Sequence, residues 1–177
     1  MNMEATQVEA KIEAAAMSIG LSGDEDQYLT FMLGGEEYGV DILRIQEIKG
    51  WDRITHIPNT PDYMLGVINL RGAIVPVIDL RQRFGMSTAE YGPTTVVIVL
   101  KVECEDRERI MGIVVDAVSD VYDIPESELK PAPDSAKDSI MESVSALATV
   151  EEKLVILLDV DHLLNTSELS SMDSVTG

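Results

Sequence analysis

Short apolar segments, separated by turn residues, most constrain what this 177-residue chain can fold into. They are rich in β-branched residues and about as long as ordinary β-strands. Frequent short strands with few long helices favour small barrels over a doubly wound α/β sheet, so the sequence predicts an all-β fold. The predicted strands are Tyr28–Leu33, Tyr38–Ile42, Ile45–Ile48, Ile54–Ile57, Val67–Leu70, Ile74–Leu80, Thr95–Val102, Ile110–Val115, Val118–Ile124, Val144–Val150 and Leu154–Val160.

Turn residues predict how some of these strands connect. Gly34-Gly35 accepts positive φ and predicts a hairpin, and Arg71-Gly72 predicts a second tight turn that exposes the arginine. Asn69 can bond the nearby backbone there. Pro76 cannot donate to a ladder, so it predicts an edge strand or a bulge. Short helices are predicted at Leu80–Phe84, Pro125–Leu129 and Asp161–Leu164.

The two ends of the chain differ from its middle. Residues 1–26 are rich in Ala and Glu and then become polar, which predicts a mobile tail with at most transient helix. The serine-rich residues 166–177 predict a second flexible tail. The folded domain is therefore expected at residues 27–165, and no internal repeat is clear enough to divide it.

Composition predicts a cytoplasmic protein. The chain is 45% hydrophobic, enough for a core, but its apolar runs are far shorter than the roughly 20 residues that span a bilayer. The N-terminus does not resemble a secretory signal. Cys104 is the only cysteine and cannot form an internal disulfide, and its acidic surroundings favour a surface thiol over a nucleophile.

Net charge excludes one class of partner. Thirteen Lys and Arg residues face 32 Asp and Glu residues, a net charge of −19 that repels nucleic-acid phosphates. Residues 1–26 carry −5 and residues 165–177 carry −2, which leaves −12 on residues 27–164. This acidity either keeps the protein soluble or steers it towards a basic partner surface.

Motifs for chemistry are not found. His56 and His162 are too far apart in sequence to suggest a zinc site, and no glycine-rich nucleotide loop or nucleophile elbow occurs. Asp116, Asp120 and Asp123 alternate with apolar residues, which favours the solvated edge of a strand over a metal or phosphoacceptor site. We therefore expect no enzyme activity, no cofactor and no metal.

One segment carries a recognisable pattern. It runs from Tyr63 to Leu80. Residues 66–80 of this segment read Gly-Val-Ile-Asn-Leu-Arg-Gly-Ala-Ile-Val-Pro-Val-Ile-Asp-Leu. The pattern resembles the signature of the CheW family and of the related regulatory domain of the histidine kinase CheA. Segments at residues 34–43, 45–48, 59–61, 112–121 and 131–133 agree in the same order, whereas a 177-residue chain has no room for the other domains of CheA.

The resemblance implies two five-stranded SH3-like β-barrels packed together, with a groove between them. It also implies an adaptor that couples the cytoplasmic tips of chemoreceptors to the regulatory domain of CheA, at membrane-associated receptor arrays. By motif position, the receptor-facing candidates are Ile45, Glu47, Val67, Asn69, Arg71 and Val96. The kinase-facing candidates are Val114, Val118, Ser119 and Val121.

Alternatives remain open for both the residues and the function. Each valine or isoleucine could instead be buried in a barrel core, and Glu47 could be an ordinary solvated strand residue. Arg71 and Glu47 have opposite charge and are predicted to pair across neighbouring strand segments. The chain could also be a family paralogue in a chemosensory pathway with an output other than swimming, or, more remotely, an enzyme with an unrecognised site.

Overall fold

Ten β-strands dominate the computed structural model, which describes residues 26–51, 54–60, 62–87, 91–103, 107–131 and 143–164. Two short helices, α1 (Leu80–Arg83) and α2 (Val160–Leu164), and two 3-10 turns, Ile42–Arg44 and Glu126–Glu128, accompany them. The strands are β1 (Asp26–Leu33), β2 (Glu36–Asp41), β3 (Ile45–Gly50), β4 (Met64–Leu70), β5 (Ala73–Asp79), β6 (Val96–Glu103), β7 (Glu108–Val115), β8 (Ala117–Ile124), β9 (Val144–Val150) and β10 (Lys153–Leu158).

The strands form two five-stranded sheets. The first barrel has the order β8-β1-β2-β10-β9, and the contact between its outer strands β8 and β9 closes it. The second barrel has the order β3-β6-β7-β5-β4. Thr55, which follows β3, bridges to Val67 of β4 and brings the outer strands of that sheet together. The predicted all-β fold of two packed five-stranded units is therefore confirmed.

Both barrels have the same strand pattern, but the chain builds them differently. In each, a hairpin (β1-β2 or β6-β7) pairs with one antiparallel strand (β8 or β3) and, in parallel, with a second hairpin (β9-β10 or β4-β5). The second barrel uses consecutive strands β3 to β7, whereas the first uses β8, β9, β10, β1 and β2 in the corresponding order. The described strands therefore cross between barrels twice, after β2 and after β7.

Two predicted turns have the expected backbone. Gly34 and Gly35 have φ of 60° and 85° between β1 and β2. Arg71 and Gly72 have φ of 53° and 90° between β4 and β5, so the arginine as well as the glycine is left-handed. Two consecutive positive φ angles match the right-handed twist of a hairpin. The Gly72 N–H donates to Asn69 Oδ1 at 2.9 Å, which stabilises the second turn.

The core has three parts because most central strands are buried on both faces. On β6, Ile98 and Leu100 pack between the barrels, whereas Val97 and Val99 point into the second barrel. A smaller cluster that includes Leu157 fills the first barrel. Burial on both faces explains why these strands are continuous apolar runs rather than alternating ones.

Two local predictions need correction. Ile54–Ile57 is not a strand, since only Thr55 forms an isolated bridge there. Of the two predicted settings for Pro76, the edge position is wrong for the strand as a whole, because β5 lies between β4 and β7. The β4–β5 ladder does contain a bulge, between Met64 and Gly66, next to Val67, the partner of Pro76. The ladder with β7 begins only at Val77, so Pro76 itself avoids losing a hydrogen bond on that side. Helices form at two predicted positions, and the third, near Pro125, is a 3-10 turn.

Candidate functional site

The Arg71-Gly72 turn projects a charged side chain from the second barrel. The Arg71 side chain is 81% exposed, and its Nη2 lies 3.7 Å from Oε2 of Glu47, whose side chain is 19% exposed. Glu47 lies on β3, and Arg71 lies in the turn that follows β4. Closure of the barrel brings these two outer strands together. The predicted pairing of Arg71 with Glu47 is therefore present in the structure. An ion pair this exposed contributes only about 0.2–1 kcal/mol to stability.

A groove of about 290 Å³ lies beside this pair, between β3 and β4. Thr55 and Val67 form one wall through two backbone hydrogen bonds, Thr55 N–H to Val67 O at 3.0 Å and Val67 N–H to Thr55 O at 2.9 Å. The groove combines apolar and polar groups, as protein-binding surfaces do. Its lining residues are Lys49, Gly50, Ile54, Thr55, Val67, Ile68, Asn69 and Val97.

The structure brings four of the six receptor-facing candidates to this surface. Val67 and Asn69 line the groove, and Glu47 and Arg71 form the adjacent ion pair. Ile45 is half-buried at the start of β3 and packs against the core between the barrels. Val96 is 5% exposed within that core, so its side chain is not available for direct contact and the alternative of core burial is correct for it.

An aromatic pair beside the groove was not predicted. Trp51 follows β3 directly and stacks on Tyr91 with ring centroids 4.0 Å apart. The Tyr91 hydroxyl donates to Asp79 Oδ2 at 2.6 Å, and Asp79 is 2% exposed. Burial, the hydrogen bond to Asp79 and the Asp79 charge raise the pKa of Tyr91 well above its usual value. The tyrosine therefore remains a neutral donor. In the sequence, the feature that could have indicated this contact is Asp79, an acid that interrupts an apolar run.

Asp116 corrects another expectation. It is not on a solvated strand edge, because Arg81 Nε and Nη2 donate to its Oδ1 and Oδ2, both at 2.7 Å. The Gly34 N–H also donates to Asp116 Oδ2 at 3.0 Å. Burial acts to raise the pKa of Asp116, but these hydrogen bonds outweigh it and lower the pKa overall. Asp120 is half-buried and Asp123 is exposed. Among the described residues these acids do not form a group that could hold a metal ion.

The part of the chain that the structure describes contains no group of three or more potential metal ligands from His, Cys, Asp and Glu. Within the same part, no helix has the length and apolarity needed to cross a bilayer. Cys104 and both predicted tails, apart from Asp26 at the start of β1, lie outside the described residues.

Comparison with known proteins decides the family. A family model described as the CheW-like domain matches residues 27–168. The chain belongs to the CheW-like family. It is 46% identical over 149 residues to a chemotaxis protein CheW from Klebsiella aerogenes, covering 84% of this chain and 87% of the relative. It is 34% identical over 148 residues to a probable chemotaxis protein CheW from Rhizobium etli, covering 84% and 93%.

A solved structure agrees with this assignment. The crystal structure of the scaffolding protein TtCheW from Thermoanaerobacter tengcongensis superposes with a TM-score of 0.72 at 32% identity. The match covers 81% of this chain and 95% of that chain. The resemblance to the CheW family inferred from the sequence motifs is therefore confirmed.

The kinase-facing candidates of this CheW-like domain do not share one surface. Val114 is 3% exposed inside the second barrel, and Val118 is 4% exposed between the barrels. Core burial therefore describes both, and neither can contact a partner directly. Ser119 and Val121 are half-buried on β8, the outer strand of the first barrel.

Proposed function

We propose that this chain is a chemotaxis adaptor that couples chemoreceptors to the histidine kinase CheA, so that receptor state controls kinase activity. The observation that carries the proposal is the 46% identity to a chemotaxis protein CheW across 84% of the chain. The mechanism is scaffolding: simultaneous attachment of two partners raises their local concentration and links their conformations. It requires no covalent step, cofactor or metal, and it places the protein in the cytoplasm at receptor arrays.

The proposed receptor-binding surface is the groove of the second barrel together with the Arg71–Glu47 pair. A receptor tip is a helical hairpin, and an exposed groove that combines apolar and polar groups can accept the ridge of a helix. The exposed guanidinium of Arg71 and the side chain of Asn69 supply polar contacts at one end. We retain Ile45 as a residue that supports β3 from the core side.

The proposed surface for the regulatory domain of CheA is β8, through Ser119 and Val121. Ser119 is half-buried on an outer strand, where a partner can reach it, and Val121 packs partly against the core between the barrels, so only its exposed remainder is open to a partner. Val114 and Val118 are buried, so their role in this proposal is to support β7 and β8 from within. Receptor and kinase surfaces therefore lie on different barrels.

Reconstitution tests the function. Receptor cytoplasmic fragments, CheA and this protein are combined, and receptor-dependent autophosphorylation of the kinase is measured alongside binding to each partner. We expect the wild type to bind both partners and activate the kinase. A wild type that binds neither partner overturns the adaptor proposal. Kinase coupling without any effect on swimming in cells favours the family paralogue with another output.

Charge reversal tests the receptor surface. Arg71→Glu removes the exposed guanidinium from the proposed receptor surface and places a second carboxylate beside Glu47, so it should weaken receptor binding. Lys153→Glu is a matched control because it makes the same charge change at the exposed start of β10, in the equivalent hairpin of the other barrel. Partial recovery in Arg71→Glu with Glu47→Arg supports direct pairing. A fully active Arg71→Glu variant removes this turn from the receptor surface.

A further inference from the structure

Each of the two chain crossings between the barrels is held by an ion pair. Asp116 occupies the crossing between β7 and β8. Its backbone N–H donates to Met32 O at 3.1 Å, and Asp116 Oδ2 accepts from Gly34 N–H, which ties it to the first barrel. Its carboxylate pairs with Arg81, and its carbonyl accepts from the Thr94 hydroxyl at 2.9 Å, which ties it to the second barrel.

Arg44 occupies the other crossing, between β2 and β3. Its Nη1 and Nη2 donate to Oδ1 and Oδ2 of Asp161 on α2 at 3.0 and 2.6 Å. Asp161 Oδ1 also accepts from the Glu103 N–H of β6 at 2.8 Å. The Arg44 Nη1 group further lies 3.5 Å from Lys101 O of β6. This pair therefore also joins both barrels.

The two pairs occupy corresponding places with their charges exchanged. Asp79 accepts a hydrogen bond from the N–H of Arg81 at the start of α1, and Asp159 accepts from the N–H of His162 at the start of α2. Arg81 lies two residues after Asp79, and Asp161 lies two residues after Asp159. Each pairs with an opposite charge at a crossing. The side chains of both pairs are 20–30% exposed, so solvent screens them only in part.

We infer that the Arg81–Asp116 and Arg44–Asp161 pairs are positioning residues that fix the orientation of one barrel relative to the other. The apolar core between the barrels supplies adhesion, but hydrophobic contact is non-directional and tolerates sliding. Bidentate charged hydrogen bonds are directional and set one register. The consequence for signalling rests on the proposed function: a receptor at the groove of the second barrel reaches a kinase at β8 of the first barrel only if this orientation is fixed.

Distance measurements between the barrels test the positioning role without any partner. Spin labels are attached at Ile74→Cys and Leu154→Cys, exposed positions near the start of β5 and β10, with native Cys104 replaced by serine. Double electron–electron resonance then gives the distance distribution. We expect one narrow distribution in the otherwise unmodified protein, and a broader or shifted one when either ion pair is removed by Arg81→Gln or Arg44→Gln.

Four further variants make the distance result decisive. The swaps Arg81→Asp with Asp116→Arg, and Arg44→Asp with Asp161→Arg, rebuild each ion pair but remove the acceptor of the Gly34 or Glu103 N–H, so they should narrow the distribution relative to the single variants without restoring it fully. Lys130→Gln, on the exposed surface of the first barrel, should leave it unchanged. Asp116→Asn keeps the shape of the side chain and replaces Arg81→Gln if that variant does not fold. Folded single variants with unchanged distance distributions overturn the inference.

Kinase assays test the signalling consequence. Loss of either pair should lower receptor-dependent kinase activation by about fivefold or more, a typical coupling between sites. Affinity for each isolated partner should change by less than about twofold, since neither pair lies on a proposed binding surface. Broadened distances with full activation overturn the signalling consequence alone. A wild type without kinase activation overturns the proposed function, while the distance measurements still decide the positioning role.

Discussion

Among glycine-to-alanine substitutions at the glycines that the structure describes, Gly66→Ala is expected to damage the groove wall most. Gly66 lies in a bulge of β4, at φ +148°, a conformation that side chains strongly disfavour. A Cβ there would lie 2.0 Å from Thr55 O and 2.7 Å from Thr55 C. Both atoms are backbone, so Thr55 must move away from β4.

The cost can be estimated from the contacts that are lost. Moving Thr55 breaks its two backbone hydrogen bonds with Val67, each worth about 0.5–1.5 kcal/mol. The disfavoured backbone conformation adds about 1–3 kcal/mol. The sum is about 2–6 kcal/mol, against a total stability of about 5–15 kcal/mol for a domain. The variant should therefore fold but be clearly less stable, with a widened groove and weaker receptor binding.

Urea unfolding followed by tryptophan fluorescence measures this effect. Trp51 is the only tryptophan, and it follows the groove-lining residue Gly50 and stacks on Tyr91. Gly35→Ala is the control, because Gly35 has φ +85° with nothing within 4 Å of an added Cβ. Gly35→Ala therefore introduces strain from a positive φ without a steric clash like that between Gly66→Ala and Thr55. If Gly66→Ala is no more destabilising than Gly35→Ala, the argument from the Thr55 contact is wrong.

Three further predictions concern charge and the N-terminal segment. Asp116 has a lowered pKa in the folded state, so its stabilisation is present above the unfolded value of 3.8 and is lost as the pH falls through the lower folded value. Asp116→Asn should therefore be less stable than the wild type at pH 7, and urea titrations should show the difference shrinking below about pH 4. Stopped-flow association with either partner should slow as salt rises, if the charge of −12 on residues 27–164 steers encounter, and a salt-independent on-rate refutes steering. Removal of residues 1–24 should leave the thermal midpoint and kinase binding unchanged, and a large fall in the midpoint contradicts the interpretation of a mobile tail.

Local patterns predicted most strands and turns because their causes lie within a few neighbouring residues. Gly34-Gly35 and Arg71-Gly72 specify hairpins through backbone conformation, and Asn69 reinforces the second turn. The division into barrels has no such local cause. The first barrel takes its hairpin β1-β2 from one end of the chain and its other strands from the opposite end. A repeat divided in this way has no contiguous second copy, so a search along the sequence does not find it.

The candidate site shows a related limit. On β6, Val96 and Val97 are chemically identical neighbours, yet one packs between the barrels and the other lines both the second core and the groove. When both faces of a strand are apolar, alternation no longer distinguishes a contact residue from a core residue. Charged or amide residues within such runs do carry information, because burial without a partner is costly. Glu47 forms an ion pair with Arg71 at the surface, and the buried Asp79 accepts a hydrogen bond from Tyr91. Within this fold, charged residues that interrupt or follow apolar strands are therefore better guides to specific side-chain contacts than the apolar residues around them.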